Sequence, residues 1–311
     1  MVTLAAARNY SQIDAFFNKT SASRKACVAR AKELVGDVDG VVVPVDVQGM
    51  RSYTVYAGPE LDIVVQFRME SLALNISLAT AIYGSLRRNF MGDVAHFMAL
   101  FWKAPQPFGL EYRSRLRETY VTDLKLLNNL LPSRFRHTIK TCIDAIDDIL
   151  SLPMVLLHRD FGPCNIIVDE ATCHLVGVIN WAEAEVCPFG LNLHSLGFLS
   201  GKLHLSNGWT RYGDYHTLQD IFWERFKGEV GGLSGHQLQT IKIARALDVL
   251  LLSGFTSRLA NEPKPVPITD DKQGHYNMML LDGFLINPET RFEFDWQSYL
   301  YSRNASLPSS I

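Results

Sequence analysis

The stretch VLLHRDFGPCNIIVDEATCHLVGVINWAEAEV, residues 155–186, decides how this chain is interpreted. It places His158, Asp160 and Asn165 in one short loop, between apolar runs whose β-branched residues predict strands. A short loop between buried strands leaves its polar groups few places except a cleft or a hydrogen-bonded network. We therefore expect the side chains of Asp160 and Asn165 to face one cavity.

The rest of the chain has a β-rich part followed by a helical part. Apolar residues at helical spacing predict helices over 11–35, and three runs separated by glycine and proline then predict a small antiparallel meander. From Asn89 onward the pattern is mostly helical. Further helices are expected over 72–86, 190–204, 217–229 and 236–257.

This order of elements predicts an α+β protein of two lobes. We expect a small N-terminal lobe over 1–88, with helices and an antiparallel sheet, and a larger helical lobe over 89–311 that carries the loop. Ligands in such folds usually bind between the lobes, so the loop is expected at that cleft.

Composition excludes several classes of protein. Thirty basic and 32 acidic residues give a formal net charge of −2, so nucleic acid and anionic membranes are not expected partners. The five cysteines are odd in number and form no CxxC pair, which indicates reduced thiols in a cytoplasmic protein. No stretch has the roughly 18 apolar residues of a membrane span. The expected partner is a small molecule, and the oligomeric state is left open.

The loop residues and the run from Val178 to Trp181 resemble the catalytic segment of the aminoglycoside phosphotransferase and choline kinase family, and are most similar to its fungal members. The likeness extends to the runs YTVYAGPELDIVVQFR, GFTSRLAN and LDGFLINPETRF, and thus over most of the chain. The resemblance implies a protein-kinase-like fold of two lobes. A His-x-Asp-x4-Asn pattern is weak by itself, but with the following strands and tryptophan it is specific.

The resemblance also implies roles for individual residues. Asp160 would accept a proton from a substrate hydroxyl, while Asn165 and an acid at position 180 would hold magnesium on the phosphates of ATP. Arg68 stands at the position of the strand cation that binds those phosphates, which a glutamate on the next helix normally braces.

The chain departs from this pattern at three places. Position 180 is asparagine, which lacks the negative charge that makes a carboxylate a good Mg²⁺ ligand, although Glu183 or Glu185 is an alternative ligand. No glutamate occurs between Ser71 and Leu110 to brace Arg68. Finally, residues 84–91 are expected to be a short connection between helices, with no room for the strands and hinge that bind adenine.

These departures favour an enzyme with a reduced N-terminal β lobe and ATP-independent acid/base chemistry. We expect a cyclisation, isomerisation or similar reaction on a small organic molecule in fungal secondary-metabolite biosynthesis. Asp160 and His158 are the expected catalytic residues, and no metal or cofactor is expected. The expected substrate-binding residues are Asn165, Asn180, Trp181, Glu183, His194 and Arg68.

Two alternatives remain open. One is a small-molecule hydroxyl kinase that uses Mg²⁺ and ATP, with Asn165, Asn180 and Glu183 as metal ligands. The other is a non-catalytic pseudokinase that binds a metabolite. His194 is either a second acid or base, or a helix-face residue with a water or carbonyl partner.

Overall fold

The computed structural model of the chain describes residues 13–45, 52–61, 63–69, 86–204, 207–256, 266–271, 274–293 and 299. The chain divides into two compact units, Met1–Ala79 and Thr80–Ile311. The bounds 1–88 and 89–311 stay a prediction of where the functional lobes divide. The helix expected over 72–86 falls, up to residue 85, outside the described residues.

In the first unit one helix packs against a small antiparallel sheet. Side chains of the central strand, among them Tyr53 and Val55, are fully buried together with Phe16 from a helical segment at 13–17. This arrangement confirms the predicted N-terminal helices and meander. The helix and the strands, which pair in the order β1-β2-β3, are α1 Arg24–Val35, β1 Val43–Pro44, β2 Ser52–Ala57 and β3 Ile63–Arg68.

The second unit is dominated by helices. The Ser234 hydroxyl and the Gln237 side chain form a reciprocal capping box at the start of the long helix α8, which is buried along most of its length. None of the helices in the described residues has the length and apolar character needed to span a bilayer. The helices are α2 Arg87–Lys103, α3 Leu110–Leu130, α4 Arg136–Asp144, α5 Ile146–Ser151, α6 Ser195–Ser200, α7 Tyr215–Glu229, α8 Gly235–Ser253 and α9 His275–Leu281.

Antiparallel strand pairs interrupt these helices. β4 pairs with β7, β5 with β6, and β8 with β9. The sequence predicted the strands around the loop but missed the last pair. The strands are β4 Met154–His158, β5 Ile166–Val168, β6 Leu175–Val178, β7 Ala184–Pro188, β8 Gly201–His204 and β9 Gly208–Arg211.

Two sequence expectations about helices are wrong. The helix expected over 190–204 is only Ser195–Ser200, and the chain then turns into β8 at Gly201, where an added Cβ would lie 2.6 Å from the carbonyl oxygen of Thr210. The connection expected over 84–91 is also wrong in the part of that range that the structure describes, from residue 86 onward. Helix α2 already begins at Arg87, because its apolar face packs against α7.

Two strand pairs hold the loop that follows β4 at both ends. His158, the last residue of β4, is paired with Ala184 of β7, and Ile166, the first residue of β5, is paired with Val178 of β6. The loop and the residues around position 180 are therefore brought together by main-chain hydrogen bonds, before any side-chain contact is considered.

Candidate functional site

Ile179 connects the two halves of the site through its main chain. Its amide nitrogen donates a hydrogen bond to the carbonyl oxygen of Asn165 at 2.9 Å, and its own carbonyl oxygen accepts one from His158 Nε2 at 2.7 Å. Position 180 therefore lies directly beside the loop, as the resemblance implied.

The side chains of Asn180, Asn165 and Asp160 form a chain of hydrogen bonds. Asn165 donates from Nδ2 to the carbonyl oxygen of Asp160 at 2.7 Å and to its Oδ2 at 2.8 Å. Asn180 Nδ2 in turn donates to Asn165 Oδ1 at 2.7 Å. Because both acceptors on Asp160 are oxygens, the amide of Asn165 must direct its nitrogen there and its oxygen toward Asn180. The structure thus brings three predicted site residues together.

The backbone at position 180 favours asparagine. Asn180 has φ 63° and ψ 53°, in the left-handed region, where asparagine is strongly enriched over most other residues. A short helical turn over Trp181–Glu183 follows directly. This conformation holds the amide of Asn180 beside that of Asn165.

Asp160 is exposed, and within the described residues only one of its carboxylate oxygens has a protein hydrogen bond. Oδ2 accepts from Asn165, whereas Oδ1 accepts from no described residue. A carboxylate held by one oxygen and open at the other is oriented for a ligand. Asn165 itself is 4% exposed, so its role is to hold Asp160 from beneath.

His158 lies below the loop and does not support the catalytic role expected from the sequence. It is 1% exposed, its Nε2 donates to Ile179, and its ring meets that of Trp181 edge-on at 4.9 Å. Its Nδ1 is buried without a partner among the described residues. A side chain enclosed in this way positions the loop.

Trp181 is half-exposed at the edge of the site. Its Nε1 donates to the carbonyl oxygen of Val178 at 2.9 Å, and its ring packs edge-on against Phe97 and Phe101 of α2. One face of the ring is therefore used for packing, and the exposed part remains compatible with the expected substrate contact.

A buried charged cluster, formed by Arg159, Asp248 and His194, lies on the other side of the loop. Arg159 Nη2 is 2.9 Å from Asp248 Oδ1, an ion pair too bent to count as a hydrogen bond, and His194 Nδ1 contacts Asp248 Oδ2. Asp248 is completely buried. Arg159 also donates to the carbonyl oxygen of Leu191 at 2.6 Å. Burial alone would lower the pKa of Arg159, but the Asp248 carboxylate holds that pKa above its usual value.

The sequence analysis did not predict two members of this cluster, Arg159 and Asp248. His194 was expected to have a water or carbonyl partner if it was a helix-face residue, and the structure gives it a carboxylate partner instead. The available signal was Asp248 itself, a lone acid in the apolar run of α8, because an acid on a buried helix needs a charged or hydrogen-bonding partner.

The site residues do not fit the Mg²⁺·ATP that the family resemblance implies. The oxygen of Asn165 is engaged by Asn180, and both side chains are neutral, whereas Mg²⁺ sites in proteins use carboxylates. The alternative ligand Glu185 has an oxygen 3.9 Å from Arg159 Nε, and the side chain of Glu183 lies outside the description. Among the described residues there is no group of three or more His, Cys, Asp or Glu side chains that could hold a metal.

Arg68 belongs to the first unit. It is exposed at the end of β3, and its Nε donates to Gln66 Oε1 at 2.6 Å. The structure therefore gives Arg68 a hydrogen-bonding partner on its own strand. Its expected contact with a substrate or phosphate stays a prediction.

Comparisons with known proteins agree with the residues of the loop. Residues 69–194 match the family model described as phosphotransferase enzyme family. The matched range ends at His194 and includes Asp160, Asn165 and Asn180. A search of curated proteins finds no match to the chain. The match over residues 69–194 supports a relationship of this part of the chain to the aminoglycoside phosphotransferase-like family.

Proposed function

We propose that this protein is a phosphotransferase-like enzyme that uses Asp160 for acid/base chemistry on a small organic molecule, without ATP. The observation that carries the proposal is the hydrogen bond from Asn180 Nδ2 to Asn165 Oδ1. It uses the oxygen that would face the metal in a kinase, and it leaves Asp160 oriented and accessible.

The proposed chemistry is a reversible proton transfer. Asp160 Oδ1 takes a proton from a C–H or O–H group of the substrate, the substrate rearranges, and the same carboxyl group returns the proton at another atom. Asn165 holds the carboxylate through Oδ2 during both steps. The reaction needs no oxidant, reductant or phosphoryl donor. A positioned acid or base typically contributes a factor of ~10² to 10⁴ in rate.

The setting of the reaction rests on the resemblance to fungal members of the family. We place it in secondary-metabolite biosynthesis in the cytoplasm, as a cyclisation, isomerisation or related rearrangement. Fold analogy alone does not support a reaction type. The type of reaction is therefore argued from the residues of the loop, and only its biological setting from the resemblance.

A hydroxyl kinase remains the second candidate, because the match to the family model and the retention of Asp160 and Asn165 both favour it. In that case Asp160 would be the base toward a substrate hydroxyl. It would require Asn165 to release Asn180 and accept a metal, with Glu183 or another carboxylate to supply charge.

Proton exchange in D₂O tests the proposal without knowledge of the substrate. The purified protein is incubated in D₂O and EDTA with a panel of small carbonyl and hydroxyl compounds, and deuterium incorporation at carbon is followed by mass spectrometry. We expect incorporation into at least one compound, insensitive to EDTA and lost in Asp160→Asn. Glu111→Gln is the control, because Glu111 is an exposed acid paired with Arg115 one turn along its own helix.

Two results would contradict the proposal. Incorporation that persists in Asp160→Asn would remove Asp160 from the chemistry. Transfer of the γ-phosphoryl group of ATP to a member of the same panel in Mg²⁺ buffer would establish the kinase instead. If neither reaction occurs while a compound still binds to wild type and Asp160→Asn alike, the protein is a metabolite-binding pseudokinase.

A further inference from the structure

Two arginines, Arg211 and Arg245, both interact with Tyr215. The guanidinium carbon of Arg245 on α8 lies 3.6 Å from the centre of the Phe292 ring, and that of Arg211, at the end of β9, lies 3.8 Å from the centre of the Tyr215 ring. Arg245 is 4% exposed. Stacking on aromatic rings fixes the planes of both guanidinium groups and leaves their N–H edges for hydrogen bonds.

Three N–H groups of the two guanidiniums are buried without a hydrogen-bond acceptor in the described part of the chain. They are Nε and Nη2 of Arg245 and Nε of Arg211. The two atoms on Arg245 lie on the same edge of its guanidinium and form the side-on pair of donors that binds carboxylates and phosphates through two parallel hydrogen bonds. Burial of donors that have no acceptor costs free energy, so an acceptor is expected there.

The charges around the two arginines also favour an acceptor that carries negative charge. Burial, together with the positive charge of Arg211, lowers the pKa of Arg245 to about 10, and Tyr215, which also forms a hydrogen bond with Arg245, opposes the shift. Arg211 Nη1 is 3.7 Å from Glu293, which is largely exposed, and its Nη2 donates to the carbonyl oxygen of Arg291. Asp248, three residues beyond Arg245 on α8, is engaged by Arg159 and His194. The pair of cations therefore has an excess of positive charge.

We propose that Arg245 and Arg211 form a binding site for a small oxyanion, a carboxylate or a phosphate. The side-on pair of donors on Arg245 holds two of its oxygens, and Arg211 Nε supplies a further donor. None of these residues belongs to the Asp160 loop, and the site does not depend on the reaction proposed for that loop. Phe292 and the residues next to it, Arg291 and Glu293, cover the site, so occupancy also fixes this C-terminal segment.

Anion titration of the full chain tests the proposal. Wild-type protein in chloride buffer receives inorganic phosphate or, separately, acetate at constant ionic strength, and its melting temperature and heats of binding are measured. We expect a saturable rise in melting temperature with at least one anion, because a ligand that binds only the folded state stabilises it. The anion with the stronger saturation identifies whether the site takes phosphate or carboxylate.

Substitutions assign the effect to the proposed residues. Arg245→Met removes the donors while keeping a long apolar side chain, and Arg245→Lys keeps the charge but loses the side-on pair. In both variants we expect anion affinity to fall by about tenfold or more, as for loss of a charge-assisted hydrogen bond. Arg134→Met is the matched control, since Arg134 is partly exposed and already paired with Asp270 and Asp282.

The outcomes that overturn the proposal are specific. Absence of saturation with both anions in wild type overturns it, even if the Arg245 variants do not fold. An equal rise in Arg245→Met and wild type shows a general salt effect and also overturns it. As a second variant, Arg211→Gln is expected to weaken the same anion, and unchanged affinity there removes Arg211 from the site.

Discussion

Arg159 and Asp160 are neighbours in sequence, yet they belong to two different sides of the loop. Arg159 lies on a buried side, where it meets the completely buried Asp248 and, through it, His194. Asp160 lies on an exposed side, where it is held by the amide of Asn165, which is held in turn by Asn180. The buried side is built from full charges, whereas the exposed side contains one carboxylate and two neutral amides.

This difference separates the residues that stabilise the loop from the residues that could bind or act on a ligand. Buried charges that lose a partner are costly, so the buried side fixes the position of the loop. The exposed side is hydrated, and its hydrogen bonds contribute little to stability but determine which ligand fits. Substitutions on the two sides should therefore change different properties of the protein.

Removing a charge from the buried side should have the largest effect on stability. Asp248→Asn keeps the shape but leaves the buried Arg159 with only the more distant and exposed Glu185 as a negative neighbour among the described residues, so we expect the free energy of unfolding to fall by about 3–5 kcal/mol. Urea denaturation measures this loss. The surface pair Glu111–Arg115 is the control, and Glu111→Gln should cost only ~0.3–0.5 kcal/mol. A loss below about 1 kcal/mol in Asp248→Asn would show that the cluster does not hold the loop.

The turn that leads from β7 to His194 should be the next most sensitive position. Gly190 has φ 107°, and an added Cβ would lie 3.0 Å from Ala244 Cβ and 3.1 Å from the carbonyl oxygen of Ile241 on α8. We expect Gly190→Ala to cost about 1–3 kcal/mol, from backbone strain together with overpacking. Gly177→Ala on β6 has no atom within 4 Å of its new Cβ, and equal losses in the two variants would contradict this account.

A substitution on the exposed side should cost less. Asn165→Ala removes the donors to Asp160 and the acceptor for Asn180, but water can replace partners at both exposed residues. We expect a loss of about 0.5–1.5 kcal/mol in the free energy of unfolding, measured in urea. A loss as large as that of Asp248→Asn would mean that the exposed side also carries the fold.

Thiol reactivity distinguishes the two sides without changing stability. Cys164 is exposed on the loop, whereas Cys187 on β7 is buried, and burial raises its pKa to about 12. At pH 8 Cys187 therefore stays protonated and enclosed. We expect a disulfide reagent to label Cys164 of the native protein rapidly, with the remaining cysteines reacting only on unfolding. Rapid labelling of Cys187, identified by peptide mapping, would show that the buried side opens.

The sequence predicted the exposed side of the loop much better than the buried side. His158, Asp160, Asn165 and Asn180 follow one another at short spacing, and strand pairing brings residues so arranged together. The partner of His194 comes from Asp248, 54 residues further along the chain, and only tertiary packing shows that contact. Spacing alone also gave His158 a catalytic role, because it does not report burial.

Predictions of secondary structure failed where packing overrides local pattern. The run after Pro188 has the apolar spacing of a helix, but at Gly201 the chain passes so close to β9 that only a glycine fits, and the helix gives way to a strand. The same limit applies to the anion site. Arg211 and Arg245 are far apart in sequence, and nothing in their spacing indicates that both lie against Tyr215.

Calorimetric titration of Mg²⁺·ATP into the unmodified protein tests the central claim most directly. The amide of Asn180 occupies the oxygen of Asn165, and neither of these two neutral side chains offers a metal a charged ligand. We predict millimolar or weaker affinity, and we expect Asn180→Asp to create no kinase activity, since it restores one metal ligand only. Micromolar affinity for Mg²⁺·ATP in the unmodified chain would contradict the account and favour the kinase.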